Sequence, residues 1–539
     1  MILHQLMDKE AMAFLEIDKL LEKITPSSHY GKRLLKEPYV FFRGDEASLI
    51  SHYNRLEAFE CMGSKVEKDR IKRCLSEIKN ISHSLEKIEN HQLPSVVDFF
   101  EIKKFLFFFR RLSNSLKDES RIKDLYGLDF QPSIWTILDP KNTNQFYFSI
   151  DSDYAIELRK ELDKYRELER AEISKICSKL HKLYDLSLKN RTDFLLERSD
   201  IRNHALRKSE NCTVISENAF SVHYKVTKSA DDPDYSMEIE RIRDEMETEE
   251  IRYRKELMES LEPYLDYLRR QMVSIGEFDR DIALLAYKME YDACFPEIVD
   301  KRQNLKIEDG VHWDVKAFCE VKGFLYDPLT ITLEKGSTVI VGANMGGKTT
   351  SLKTIGRLYT ACALGLPITA KNFTSSLFDS VNCVYRTREE EGLSGFAMEV
   401  RRILPVFGSG CHLNLIDEFG SATNPKEGDA LASSVVSTLS EKESITVFIT
   451  HFSGALSFGG QKYQTGFLKE YEDQILTADN IYRYIDHRLV QITGHHIPQA
   501  AIEISKAFGL PDIVIEQAKR LSDHSSEAND SLKNKEEEV

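Results

Sequence analysis

Along the first 305 residues apolar positions recur at helical spacing between charged ones, as at Phe14, Leu15, Ile17, Leu20, Leu21 and Ile24, and few stretches alternate as a strand would. The N-terminal part is therefore predicted to be helical. Residues 96–112 hold Phe99, Phe100, Ile102, Phe105, Leu106, Phe107, Phe108 and Phe109, too apolar a run to leave one face in water, so this helix is expected in a core. Residues 154–188 keep the helical spacing without Gly or Pro, which predicts a rod of roughly 50 Å at 1.5 Å per residue. A second rod is predicted over 236–272, interrupted at Pro263. Periodicity is compatible both with an antiparallel lever pair carrying a tip and with long helices in an ordinary bundle.

After residue 306 the pattern changes to short β-branched runs, at 337–341, 412–416 and 445–450, separated by helical segments. That alternation predicts an α/β domain. Residues 524–539 are polar and read as a disordered tail.

The chemistry lies in the second half. Gly342-Ala343-Asn344-Met345-Gly346-Gly347-Lys348-Thr349 is a complete G-x-x-x-x-G-K-[ST], directly after a strand pattern and before a helix beginning near Thr350. Such a loop turns backbone N–H groups towards phosphate; Lys348 is expected at the β- and γ-phosphates and Thr349 at Mg²⁺. About 70 residues on, an apolar run ends in Asp417-Glu418, placing one carboxylate to hold Mg²⁺ and a second to orient or deprotonate water. A third strand pattern ends at His451, where a side chain sensing the γ-phosphate would sit, although a lone histidine can equally be structural.

Charge limits what the chain can grip. A net charge of −15 argues against a wholly electrostatic hold on nucleic acid, so any DNA contact is expected to be local. Residues 189–208 are basic (Lys189, Arg191, Arg198, Arg202, Arg207, Lys208) while 231–250 carry ten acids against Arg241 and Arg243. The first could touch phosphate, the second would repel it, and either could be only a solvated face. Nine scattered cysteines without a C-x-x-C pair argue against a disulfide framework or a cysteine zinc site. Apolar runs such as 105–109 fall far short of a membrane span, and with no basic, apolar leader read in residues 1–25 a cytoplasmic location is expected.

Five blocks in order resemble the MutS family, whose ATPase domain belongs to the ABC group: Gly342 to Thr349, Gly392-Leu393-Ser394-Gly395-Phe396-Ala397-Met398-Glu399, Asp417-Glu418-Phe419-Gly420, Thr450-His451-Phe452 and Phe508-Gly509-Leu510-Pro511. The resemblance implies an N-terminal all-α core with long lever helices and a C-terminal α/β P-loop ATPase domain. Expected boundaries are 1–125 for the helical core, 126–305 for the levers with a reduced clamp-like tip, 306–522 for the ATPase domain and 523–539 for the tail. It also implies ATP and Mg²⁺ as cofactors, with the nucleotide held by Gly342, Asn344, Met345, Gly346, Gly347, Lys348, Thr349 and Thr350. By position Phe324 would stack on adenine, and Ser394 would reach the γ-phosphate of a second subunit, making a composite site in a homodimer. Bulk-core packing of Phe324 and helix capping by Ser394 stay open as alternatives. Thr349 and Asp417 would be the metal ligands, and Glu418, His451 and Lys348 the catalytic set.

Two departures refine the expectation. Mismatch-recognition members carry two N-terminal domains and a Phe-x-Glu wedge, which this sequence, opening in the helical core, is not expected to have. The block Thr423-Asn424-Pro425-Lys426-Glu427-Gly428 is more similar to the bacterial paralogue branch outside mismatch repair, and that branch's Smr domain is not expected here. The function expected is a dimeric ATPase that moves a macromolecule, DNA first. The alternative is a protein client, as in reactivating factors for cobalamin-dependent lysine or ornithine aminomutases.

Overall fold

The computed structural model describes residues 3–62, 68–117, 119–150, 152–188, 191–299, 304–343, 345–386, 395–468, 477, 481, 485–493 and 501–521. The chain divides into two compact units, one of Glu77–Asn114 with Asp129–Gln271, the other of Met1–Ser76, Ser115–Leu128 and Met272–Val539.

In the first unit, helix α1 (Val96–Ser115) buries Phe99, Phe105 and Phe109, three of the phenylalanines that make it unfit for an exposed face. Helix α2 (Asp153–Tyr184) opens with the Ser152 hydroxyl accepting the Ala155 N–H at 3.2 Å, the cap a helix start needs, and closes at Asp185 in the left-handed region. Three short strands follow, β1 (Asp193–Glu197), β2 (Cys212–Glu217) and β3 (Ser221–Val226), and then helix α3 (Ser236–Leu261). A 3₁₀ turn over Glu262–Tyr264 interrupts the rod at Pro263, as its missing N–H requires.

α2 and α3 pack antiparallel around Leu158, Leu162, Ile239 and Ile242. Their polar contacts keep that register: Ser152 Oγ donates to Glu249, Tyr154 Oη to Glu245 and Arg241 to Glu161, and the Tyr165 and Tyr235 rings lie 5.9 Å apart.

The strands between the two helices correct the expectation of an N-terminal part that is helical throughout. They form an antiparallel sheet in the order β1-β3-β2, with Val222, Tyr224 and Val226 turned onto Ile176, Cys177 and Leu180 of α2. The alternation is present in 193–197 and 221–226, but each run is only five or six residues long and too short to outweigh the surrounding helical period.

The second unit is built on a six-stranded sheet. Its elements are β4 (Gly336–Gly342), helix α4 (Lys348–Ala363), β5 (Ser380–Val384), helix α5 (Gly395–Ile403), β6 (His412–Asp417), helix α6 (Pro425–Ser440), β7 (Ile445–Ile449), β8 (Gln461–Thr465) and β9 (Val490–Gln491). The order is β9-β8-β4-β7-β6-β5, parallel except for the β8–β9 pair. Every residue of β4 and of β7 is buried, in keeping with the Val339-Ile340-Val341 and Val447-Phe448-Ile449 runs they carry. Asp417 pairs with Ile449, Ile449 with Ile340, and Thr465 with Gly342, so the carboxyl ends of four strands meet at one edge. Leu6, Leu15, Ile17 and Leu20 of the N-terminal helices share a core with Leu352, Ile355 and Tyr359 of α4. The nine cysteines are all free thiols, and among the described residues no helix is long and apolar enough to cross a membrane.

Candidate nucleotide site

The strand-to-helix turn after β4 is tight enough to dictate its residues. A Cβ at Gly342 would stand 2.2 Å from the Thr465 carbonyl oxygen, so only glycine fits where β4 leaves the sheet. The chain then reaches α4 at Lys348, one residue past Gly347 in the left-handed region. The first turn of α4 directs its N–H groups and the positive end of its dipole at the loop.

Lys348 is 6% exposed, and its Nζ donates to the Gly342 carbonyl at 2.7 Å with Glu418 Oε1 at 3.8 Å. Burial pushes this ammonium below the usual lysine range, and the Glu418 and Asp417 carboxylates partly offset that. Thr349 Oγ1 donates to Asp417 Oδ2 at 2.8 Å. The Asp417 carboxyl is raised, first by burial, with the Thr349 bond opposing.

Two sequence-distant pairs thus converge at the edge of the sheet. The Thr349 hydroxyl and the Asp417 carboxylate supply the hard oxygen ligands that suit Mg²⁺, which takes one or two protein oxygens and completes its shell with phosphate and water. Among the described residues there is no group of three or more His, Cys, Asp or Glu side chains able to hold a metal.

Beside the loop lies a cavity of about 210 Å³ whose wall includes Phe318, Phe324, Pro328, Met345, Gly347, Thr350 and His487. Its apolar side chains and its position against the first turn of α4 suit the base of a nucleotide. Phe324 and Thr350, singled out in sequence, therefore sit in the same wall as the glycine loop. His451 follows β7 and is exposed, its ring against Phe452 at 4.3 Å. Asn344 and Ser394 lie outside the described residues.

Sequence reasoning missed Thr465 and His487. The Thr465 hydroxyl lies 2.7 Å from the Gly346 carbonyl and 3.1 Å from that of His487, bracing the loop from β8. The strand Gln461–Thr465 reads as polar and gives no periodic signal, although its last three residues are buried.

The basic cluster of the first unit looks different in three dimensions. Arg207 and Arg198 both face Glu217, at 2.5 and 3.4 Å, and Arg202 meets Asp200 at 2.6 Å. Arg202 holds the Asp200 carboxyl down at about 2. Three of the four arginines in 189–208 are thus paired within their own sheet region; Lys189 lies outside the described residues.

Comparison with known proteins bears on the same strands and helices. The family model described as MutS domain V matches residues 338–525, which contain the loop, the carboxylate pair and all but the first two residues of β4. Over these residues the chain is a member of the MutS domain V family. It is 30% identical over 262 residues to a protein named Endonuclease MutS2 from Clostridium novyi, covering 47% of this chain and 32% of that one. It is 28% identical over 300 residues to one of the same name from Lactococcus lactis subsp. lactis (54% and 37%), and 26% identical over 311 residues to another from Streptococcus pneumoniae (56% and 38%). The chain spans about a third of the length of these MutS relatives.

Proposed function

We propose that this MutS-family chain is an ATP hydrolase whose nucleotide cycle, run in a homodimer, drives conformational change on a macromolecule. The observation that carries the reading is the convergence of Lys348 with Glu418, and of Thr349 with Asp417, at the mouth of the β4–α4 turn. In this reading the amides of 343–348 and the Lys348 ammonium hold the β- and γ-phosphates, and Thr349 and Asp417 hold Mg²⁺, which supplies charge neutralisation when bound. Glu418 orients water for in-line attack on the γ-phosphorus; the P–O bond to ADP breaks, and the water proton leaves with Glu418 or phosphate. Phe324 packs against the base, His451 reads the γ-phosphate, and Ser394 completes the site of a second copy. The paired helices α2 and α3 are the levers, residues 306–522 are the ATPase domain, and the protein acts in the cytoplasm.

The names of the relatives support DNA as the macromolecule. A second reading, a protein client such as a cobalamin-dependent aminomutase, is favoured by a specific observation: three of the four arginines of the basic cluster are paired with Glu217 and Asp200. Steady-state ATPase assays with duplex, branched and single-stranded DNA at stated ionic strength separate the two. Stimulation that is lost when Arg198, Arg202 and Arg207 are reversed supports DNA, and no response to any nucleic acid supports a protein. ATP-dependent dimerisation, together with loss of turnover in Ser394→Ala, tests the composite site.

A further inference from the structure

The turn that carries Glu418 is held from two sides. Glu418 itself has φ +55°, a left-handed conformation that a non-glycine residue keeps only where its surroundings over-determine it. Its N–H donates to the Ile449 carbonyl at 3.0 Å, which ties the residue to β7. Phe419, the next residue, is buried in a cluster with Ile403 of α5 and Phe452. Gly420, at φ +85°, lies so close to Gly428 of α6 that a Cβ on Gly428 would stand 2.5 Å from the Gly420 carbonyl oxygen. This approach accounts for the glycine that closes the Thr423 to Gly428 block.

On the other side stands Glu399 of α5. Its Oε2 accepts the Gly420 N–H at 2.9 Å, and the residue is 5% exposed. Burial raises its carboxyl above the usual glutamate range, with the nearby Glu418 charge adding to this and the Gly420 bond opposing it. An apolar side chain would fill this place on α5 without the cost of burying a carboxylate, so the acid is explained by what it holds rather than by packing.

We propose that Glu399 is a positioning residue: by fixing the Gly420 amide it sets the direction of the Glu418 carboxylate, and with it the water that attacks ATP. The proposal rests on the hydrolase reading above.

The test uses the full chain and measures kcat, KM for MgATP, affinity for a fluorescent ATP analogue and thermal midpoint. Glu399→Met and Glu399→Asp, which remove or withdraw the acceptor, are expected to lower kcat about 100-fold while analogue affinity stays within about threefold. Glu399→Gln keeps an acceptor oxygen in place and is expected to recover most of the lost rate. In single-turnover assays, adding Glu399→Met to Glu418→Gln is expected to cost nothing beyond Glu418→Gln alone, because the first residue acts through the second. Unchanged kcat in the Met and Asp variants overturns the proposal, as does an equal loss with and without Glu418. Should Glu399→Met fail to fold, Glu399→Asp decides. A wild-type chain that binds ATP and never hydrolyses it defeats the hydrolase reading itself, whereas loss confined to stability defeats this proposal alone.

Discussion

The loop after β4 and the three-stranded sheet between α2 and α3 both present cations beside carboxylates, and they use them in opposite ways. Lys348 is buried, held by a backbone carbonyl, and 3.8 Å from Glu418 Oε1. Arg202 and Arg207 are matched at 2.6 and 2.5 Å by acids a short way along the chain. A desolvated ammonium among converging oxygens gains most from a ligand that brings negative charge. An arginine already paired at the surface gains little, and the surface pair itself adds little to stability. A cluster of basic letters therefore does not define an anion site; burial and the partner do.

The sharpest way to break the comparison is at the loop. Lys348→Ala is expected to lower ATP turnover about 1,000-fold, since it removes the principal charge at the phosphates; a turnover assay with near-wild-type rates would remove the contrast. Asp417→Asn leaves Thr349 with a neutral partner, and about a 100-fold loss is expected, relieved in part by raising Mg²⁺, as a Mg²⁺ titration of the rate would read. Thr465→Val removes the brace on the Gly346 carbonyl; about a fivefold weaker ATP affinity is expected from one lost hydrogen bond, measured by nucleotide titration.

On the sheet the expected effects are smaller. Glu217→Gln releases Arg198 and Arg207 together, and is expected to raise non-specific DNA affinity a few-fold at low salt and not at all at high salt. A large gain that persists in high salt would mean that the pairing was not what kept phosphate away.

The smallest effect is on stability. Burial holds His52 and His312 down at about 4, so both stay neutral in the folded second unit while an unfolded chain takes up their protons near 6.5. Their contribution is fully present above about pH 6.5 and is lost as pH falls towards 4; urea midpoints measured across that window are expected to fall with the uptake of about two protons.

Much of the site was legible because its chemistry is local. The glycine loop, Asp417-Glu418 and the strands that end in them are each contiguous, and their residue types follow from what a phosphate and a hard cation demand. The two rods and the break at Pro263 were legible for the same reason, since helical periodicity is a short-range signal. Elsewhere the decisive contacts are long-range. Thr465 reaches Gly346 across 119 residues from a polar strand. Glu399 reads as one more letter of a helix until Gly420 is set beside it. The tip sheet hid because its strands are shorter than the helical pattern around them, and the pairing of Arg198 and Arg207 was out of reach because Glu217 lies beyond the cluster in the chain.

The account stands most directly on Glu418. Single-turnover hydrolysis of MgATP by Glu418→Gln, alongside its affinity for the nucleotide, separates holding ATP from cleaving it. The prediction is wild-type affinity with hydrolysis slowed by about 100-fold or more. Hydrolysis at the wild-type rate would contradict it, and would mean that the carboxylate beside Lys348 has no part in the reaction.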